Sequence, residues 1–208
     1  MSNFPAPVVV RLGEAKPEAP LVVLLHGRGS NAREFISLAQ HLQGQAEFVA
    51  IDAPIVEGGG FAWFQNRGIG RPLTESLRET MAWFTNWLDE YAPLPRRVIL
   101  IGFSGGGAFA GGLMLQDPQR YAGAALLYAT IPWEAGVPTT PDRLRGLSVF
   151  HAQGSSDRVI PRDLLDRTWQ YLAEQSGADL ATHMGEEGHG ISPAALEALN
   201  SWLGQLAA

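Results

Sequence analysis

Cysteine is absent from all 208 residues. That absence removes disulfide frameworks, thiolate metal sites and cysteine nucleophiles together, and says nothing about redox compartment. Positive charge is also scarce: 15 Lys and Arg stand against 21 Asp and Glu, a formal net charge of −6, and no block of basic residues occurs. Nucleic acid and anionic membrane surfaces demand a concentrated basic face, so neither is expected as a partner. No window approaches the ~18 uncharged apolar residues of a membrane helix, and the N-terminus has neither the basic start nor the apolar stretch of a secretion signal. A soluble, cytoplasmic protein without membrane insertion is the expectation. Internal repeats and low-complexity stretches are lacking as well.

What is present is apolar content, 46% of the chain, punctuated by 24 glycines and 14 prolines at the spacing of secondary-structure elements. A chain of this length suits one α/β domain spanning residues 1–208, able to bury roughly 70% of its unfolded surface. Short apolar or β-branched runs at Leu21 to Leu25, Phe48 to Ile51, Val98 to Ile101, Ala122 to Tyr128, Leu147 to His151 and Leu180 to His183 read as buried strands. Between them Phe35, Leu38, Ala39 and Leu42 form one helical stripe, and Leu77, Met81, Phe84, Leu88 and Tyr91 another. Asn31 and Glu34 have capping-box spacing, and Ser192 with Pro193 signposts the start of a last helix. Strands that are apolar without alternation, separated by helices, imply a mainly parallel sheet covered on both faces, a three-layer α/β sandwich. Ligands then bind at the carboxyl ends of the strands.

The loop after the Val98 to Ile101 run contains Gly102-Phe103-Ser104-Gly105-Gly106, a G-x-S-x-G pentapeptide opening the helical stretch Gly105 to Gln116. A serine on so sharp a strand-to-helix turn needs small neighbours, because side chains there would clash and hide its hydroxyl. The pentapeptide alone also arises as a structural glycine turn; the strand before and the helix after favour a nucleophile. Gly105, Gly107 and Ala110 match a dinucleotide-binding fingerprint too, but Ala125, Leu126 and Leu127 stand where its acidic residue belongs, and the next acid is Glu134.

A serine hydroxyl requires a base. Of five histidines, His41 falls on the first helix as a solvated residue, while His151 and His183 fall in strand runs as hydrogen-bonded structural imidazoles. His189, in the loop Glu186-Glu187-Gly188-His189-Gly190 before the last helix, has the setting of a triad base, with Glu186 and Glu187 read as solvated charges. Asp157, in the loop after the Leu147 to His151 run, is the candidate third member, with a simple turn aspartate as the bland reading and Asp142 and Asp163 as alternative acids. The order Ser104, Asp157, His189 is that of α/β-hydrolases. Backbone amides of Gly105 and Arg28, the latter in His26-Gly27-Arg28-Gly29, are the candidate oxyanion donors.

Together these residues resemble the phospholipase/carboxylesterase family of α/β-hydrolases, a group including acyl-protein thioesterases and bacterial carboxylesterases. The likeness runs from about Leu21 to Leu203 through the HGRG loop, Ala62-Trp63-Phe64, Gly102 to Gly107, Gly154 to Pro161 and the Gly-His before the last helix. It implies Ser104, Asp157 and His189 as triad, Arg28 and Gly105 as oxyanion donors, and Trp63 and Phe64, following a flexible Gly58-Gly59-Gly60 run, near the acyl pocket; core packing is the other reading of the aromatic pair. Gly105 stands where the eukaryotic thioesterases have Gln, and Gln153-Gly154 where the family has His-Gly. The implied function is hydrolysis of short to medium acyl esters through an acyl-enzyme on Ser104. Acyl-thioesterase or lysophospholipase activity is the alternative within the fold, and a ligand-binding homologue without turnover is the alternative outside enzymology. Neither metal nor organic cofactor is called for. The expected partner is a small-molecule ester, with a homodimer left open. The interval Tyr128 to Leu147, with Pro132, Pro138 and Pro141, is too short for a helical cap.

Overall fold

The computed structural model describes residues 4–207. Seven strands form one sheet: β1 (Val9–Leu12), β2 (Leu21–Leu25), β3 (Glu47–Ile51), β6 (Val98–Phe103), β7 (Gly123–Leu127), β8 (Ser148–Gly154) and β9 (Asp179–Gly185). Their spatial order is β1-β3-β2-β6-β7-β8-β9. Only β1 runs antiparallel, against β3; the pairs from β3 to β9 are parallel, Leu21 facing Glu47 on one side and Val98 on the other. β4 (Ile55–Glu57) and β5 (Gly60–Ala62) make a separate hairpin. Its turn, Gly58-Gly59, has φ +59° and +85°, the left-handed backbone of a tight two-residue hairpin connection that glycine adopts without a Cβ clash. The run expected to be flexible is a defined turn.

Period-two side chains of the central strands feed two cores. Leu21, Val23, Leu25, Val98, Leu100 and Leu126 pack with α2 (Thr74–Tyr91) and α3 (Gly105–Gln116). Val22, Leu24, Ile99, Ile101, Ala125 and Leu127 pack with α1 (Ala32–Phe35) and α5 (Pro193–Leu206) on the other face. The result is the three-layer arrangement expected of near-continuous apolar strands. Asn31 caps α1 through the Glu34 amide, and Ser192 caps α5 through the Ala195 amide. The first helix departs from its expected length: α1 is one turn, continued as a 3₁₀ segment Ile36–His41. There the Ser37 hydroxyl donates to the Glu34 carbonyl at 2.6 Å, an i−3 contact that suits the tighter turn. α4 (Arg162–Gln170) follows β8 and ends in a π-turn, Tyr171–Gln175. Between Tyr128 and Leu147 the only helical element is a 3₁₀ turn, Trp133–Ala135. Among the described residues no helix is long and apolar enough to cross a membrane.

Candidate active site

Ser104 stands between β6 and α3 with φ +52° and ψ −115°, a region that L side chains rarely occupy and that costs on the order of 1–3 kcal/mol unless its surroundings impose it. The surroundings do. The Ser104 amide donates to Leu127 O at 2.9 Å, its carbonyl receives the Ala108 amide at 3.0 Å, and the turn lies against β2. A Cβ on Gly106 would come within 2.1 Å of the Leu25 carbonyl oxygen, so only glycine permits this approach. The backbone alone holds the hydroxyl up at the carboxyl end of the sheet.

His189 and Asp157 arrive from two further loops. His189 Nε2 lies 2.9 Å from Ser104 Oγ, and Nδ1 lies 2.8 Å from Asp157 Oδ2. The Asp157 side chain is fully buried, and its other oxygen, Oδ1, accepts from the amides of Val159 at 2.8 Å and Ile160 at 3.1 Å. These two donors keep a desolvated carboxylate satisfied and orient Oδ2 towards the imidazole. Nδ1–H is thereby the donor to Asp157, which leaves Nε2 as acceptor for the serine proton. The structure brings together the three residues singled out as a triad.

The candidate oxyanion donors are neighbours as well: a Cβ on Gly105 would lie 3.3 Å from the Arg28 amide nitrogen. The Gly29 and Ser30 amides are used, by Phe61 O and Gly27 O, whereas those of Arg28 and Gly105 donate to no partner among the described residues. The Arg28 guanidinium works elsewhere. It grips both Glu57 oxygens at 2.5 Å and donates to Phe64 O at 2.9 Å, tying its loop to the β4–β5 hairpin.

A cavity of about 350 Å³ opens beside Ser104 and His189, walled by Phe64, Ile69, Ala108, Thr130, Val159 and Ile160. A second depression of about 350 Å³ shares Gly27, Arg28 and Phe103 with it and runs over Phe35 and Ile191. The larger cavity, about 510 Å³ between α2 and α3, contains none of these groups. Phe64 thus lines the site, but Trp63 does not, and the expectation for Trp63 is corrected. Its side chain is 1% exposed, its indole N–H donates to His26 O at 2.8 Å, and its ring stacks on Phe109 at 4.7 Å. The indole turns inward because the core offers both a stacking partner and an acceptor.

Two further expectations are corrected, and His26 takes a role. Glu187 is not a solvated charge: it accepts from the Tyr128 hydroxyl at 2.5 Å and lies 2.9 Å from His183 Nε2, while Glu186 is exposed. His151 is fully buried beside the Ala129 backbone without a hydrogen bond of normal geometry, and burial pushes its pKa down to about 4. His26 is a structural element whose role no sequence motif marks. Its Nδ1 lies 2.7 Å from Gly27 O and its Nε2 accepts from the Ala53 amide at 3.1 Å. Burial lowers its pKa, outweighing the Gly27 contact and nearby acids, so the ring is neutral and braces the loop that carries Arg28. His41, as expected, is exposed.

A strand-turn-helix serine, loops at the carboxyl ends of a mainly parallel sheet and helices on both faces define an α/β-hydrolase. A carboxylesterase from Mesorhizobium loti has the same fold, with a TM-score of 0.82 at 24% identity, 98% of this chain and 96% of that one being covered. The chain belongs to the phospholipase/carboxylesterase family, whose model matches residues 7–206, and it is a hydrolase of that family. Among curated relatives, the putative hydrolase MhqD of Bacillus subtilis is 26% identical over 190 residues, 88% of this chain and 91% of that protein. Acyl-protein thioesterase 1 of Cryptococcus neoformans is 23% identical over 227 residues, 93% of this chain and 95% of its own.

Proposed function

We propose that this hydrolase is a serine carboxylesterase acting on short to medium acyl esters. The observation that carries this reading is the unbroken relay from Ser104 Oγ through His189, 2.9 Å and 2.8 Å, to a fully buried Asp157. Ser104 Oγ attacks the ester carbonyl as its proton passes to His189 Nε2. The imidazolium so formed is stabilised by Asp157, and the developing alkoxide is received by the Arg28 and Gly105 amides. His189 then returns the proton to the leaving alcohol. Water, activated by the same base, attacks the acyl-enzyme carbonyl and releases the acid, restoring Ser104.

The cavity bounded by Phe64, Ile69 and Val159 suits the acyl group, and the depression over Phe35 and Ile191 suits the alcohol. Each acyl methylene buried against the first wall should strengthen transition-state binding by about 0.8 kcal/mol until the wall ends. Ile69 and Val159 are 43% and 44% exposed, so the mouth is open, and activity should not depend on a lipid interface.

The test is kcat/KM for p-nitrophenyl esters from acetyl to palmitoyl, measured for the native chain and for Ser104→Ala. The reading requires an optimum at short to medium chains in monomeric solution and a loss of about 10⁴-fold or more in the variant. A Ser104→Ala enzyme near native activity would refute the mechanism. An optimum at palmitoyl only above its micellar concentration, or a strong preference for the matching thioester, would refute the substrate class.

A further inference from the structure

His189 lies in a loop rich in glycine, with Gly185, Gly188 and Gly190 close by, and within that loop the Gly190 amide reaches only Gly188 O, at 3.0 Å. The loop's anchor is Glu187. Its backbone carbonyl accepts the Ser156 amide at 3.2 Å, next to Asp157. Its carboxylate receives the Tyr128 hydroxyl at 2.5 Å.

Tyr128 comes from the end of β7. Its φ is +49°, unusual for so bulky a residue, and its amide is tied to Ala152 O at 2.8 Å. Its ring is fully buried and stands edge-on to the His189 imidazole, centroids 6.4 Å apart at 79°. Phe103 packs on the same imidazole at 5.1 Å. The backbone and hydroxyl of Ser192, the cap of α5, lie beside the same phenolic oxygen.

We infer that Tyr128 and Glu187 are a positioning pair for the proposed general base, fixing the loop so that His189 reaches Ser104 and Asp157 at once. The inference rests on the reading of His189 as that base. Each partner is in the ionisation state the bond requires. Burial raises the Tyr128 hydroxyl well above its ordinary range, so it stays a donor. Burial alone would raise the Glu187 carboxyl too, but hydrogen bonds, chiefly from Tyr128 and also from His183, bring it below its ordinary value, so it stays an acceptor. A neutral donor on a charged acceptor is a strong, directional contact. It joins a rigid strand end to a loop whose Glu187 also meets His183 and, through its carbonyl, the Ser156 amide.

Tyr128→Phe removes one oxygen from the buried ring without changing charge, and Glu187→Gln removes the charged acceptor. Each should lower kcat by about 10- to 100-fold, the penalty of a slightly misplaced group, with KM within about twofold and the fold intact by circular dichroism. The double variant should lose less than the product of the two single losses, because both changes break the contact that Tyr128 and Glu187 share. Glu186→Gln, which removes an exposed charge next door, should turn over like the native enzyme. If Glu187→Gln melts below the assay temperature, Tyr128→Phe decides alone. Native kcat in folded Tyr128→Phe overturns the inference, as does a loss appearing in KM only. Ser104→Ala separates the two levels: retained activity there defeats the esterase reading itself, whereas its loss alongside fully active Tyr128→Phe defeats only the positioning pair.

Discussion

Two carboxylates are buried at opposite ends of the same sheet, and they differ in the company they keep. Glu47 opens β3 at the amino end. It accepts from Arg11 at 2.8 Å, Arg96 at 2.9 Å, the Tyr91 hydroxyl at 2.9 Å and the Lys16 amide at 3.0 Å. Burial alone would raise its pKa, but those donors outweigh burial and lower it to about 2. Asp157, at the carboxyl end, has two amides and one imidazole. A carboxylate matched by permanent cations is a finished structural unit, since its charge is compensated whatever happens nearby. One whose only side-chain partner is a titratable ring gains its countercharge when that ring takes a proton, which is the event the proposed reaction requires. The same chemical group is thus a lock at one end of the sheet and, in the proposed reaction, a working part at the other.

The largest effect is expected at Asp157. Asp157→Asn should keep the geometry but favour the wrong imidazole tautomer, lowering kcat by about 10³- to 10⁴-fold with little change in melting temperature. A greater loss from Asp142→Asn or Asp163→Asn in the same ester assay would show that the wrong loop had been assigned. Glu47→Gln should do the reverse. It takes the countercharge from Arg11 and the nearly buried Arg96, costing about 3 kcal/mol and lowering the melting temperature by about 6–12 °C. Turnover per folded molecule should be unchanged.

Acid sharpens the same contrast. Because the folded-state pKa of Glu47 is lowered from 4.5 to about 2, its contribution is complete above about pH 4.5 and fades as pH falls towards 2. The stability gap between the native chain and Glu47→Gln, up to about 3 kcal/mol by urea unfolding at neutral pH, should therefore close across that window. A gap that stayed constant would mean that the carboxylate is not the source. The smallest expected effect concerns the cavity wall. Phe64→Ala should flatten the chain-length dependence, halving or more the gain of about 0.8 kcal/mol per methylene, which the p-nitrophenyl series reads directly.

How much of this could be read from the sequence depended on how local each signal is. Leu21–Leu25 and Gly105–Gln116 were readable to the residue, because a strand buried on both faces is an unbroken apolar run and the helix follows its glycine turn at once. β1 is not legible, because an edge strand with two exposed residues has no such run; β4 and β5, three residues each, are too short to show a period. Ser104, Asp157 and His189 were picked out by their loops and order, which fixed folding topology brings to one end of the sheet. Partners that meet only in three dimensions left no trace. The Arg28–Glu57 pair spans 29 positions and Tyr128–Glu187 spans 59, so in the sequence Glu187 reads like any charge in a glycine-rich loop. The inward turn of Trp63 is illegible for a related reason: an aromatic side chain beside a site can turn inward or outward, and the stacking ring of Phe109 that draws it inward is 46 positions away.

The most direct test of the account is labelling with a fluorophosphonate, followed by intact mass and peptide mapping. The account predicts one adduct per chain, carried by Ser104, absent in Ser104→Ala, strongly slowed in Asp157→Asn and formed at the native rate in Glu47→Gln. An adduct on any other residue, or equal labelling of Ser104→Ala, would contradict it.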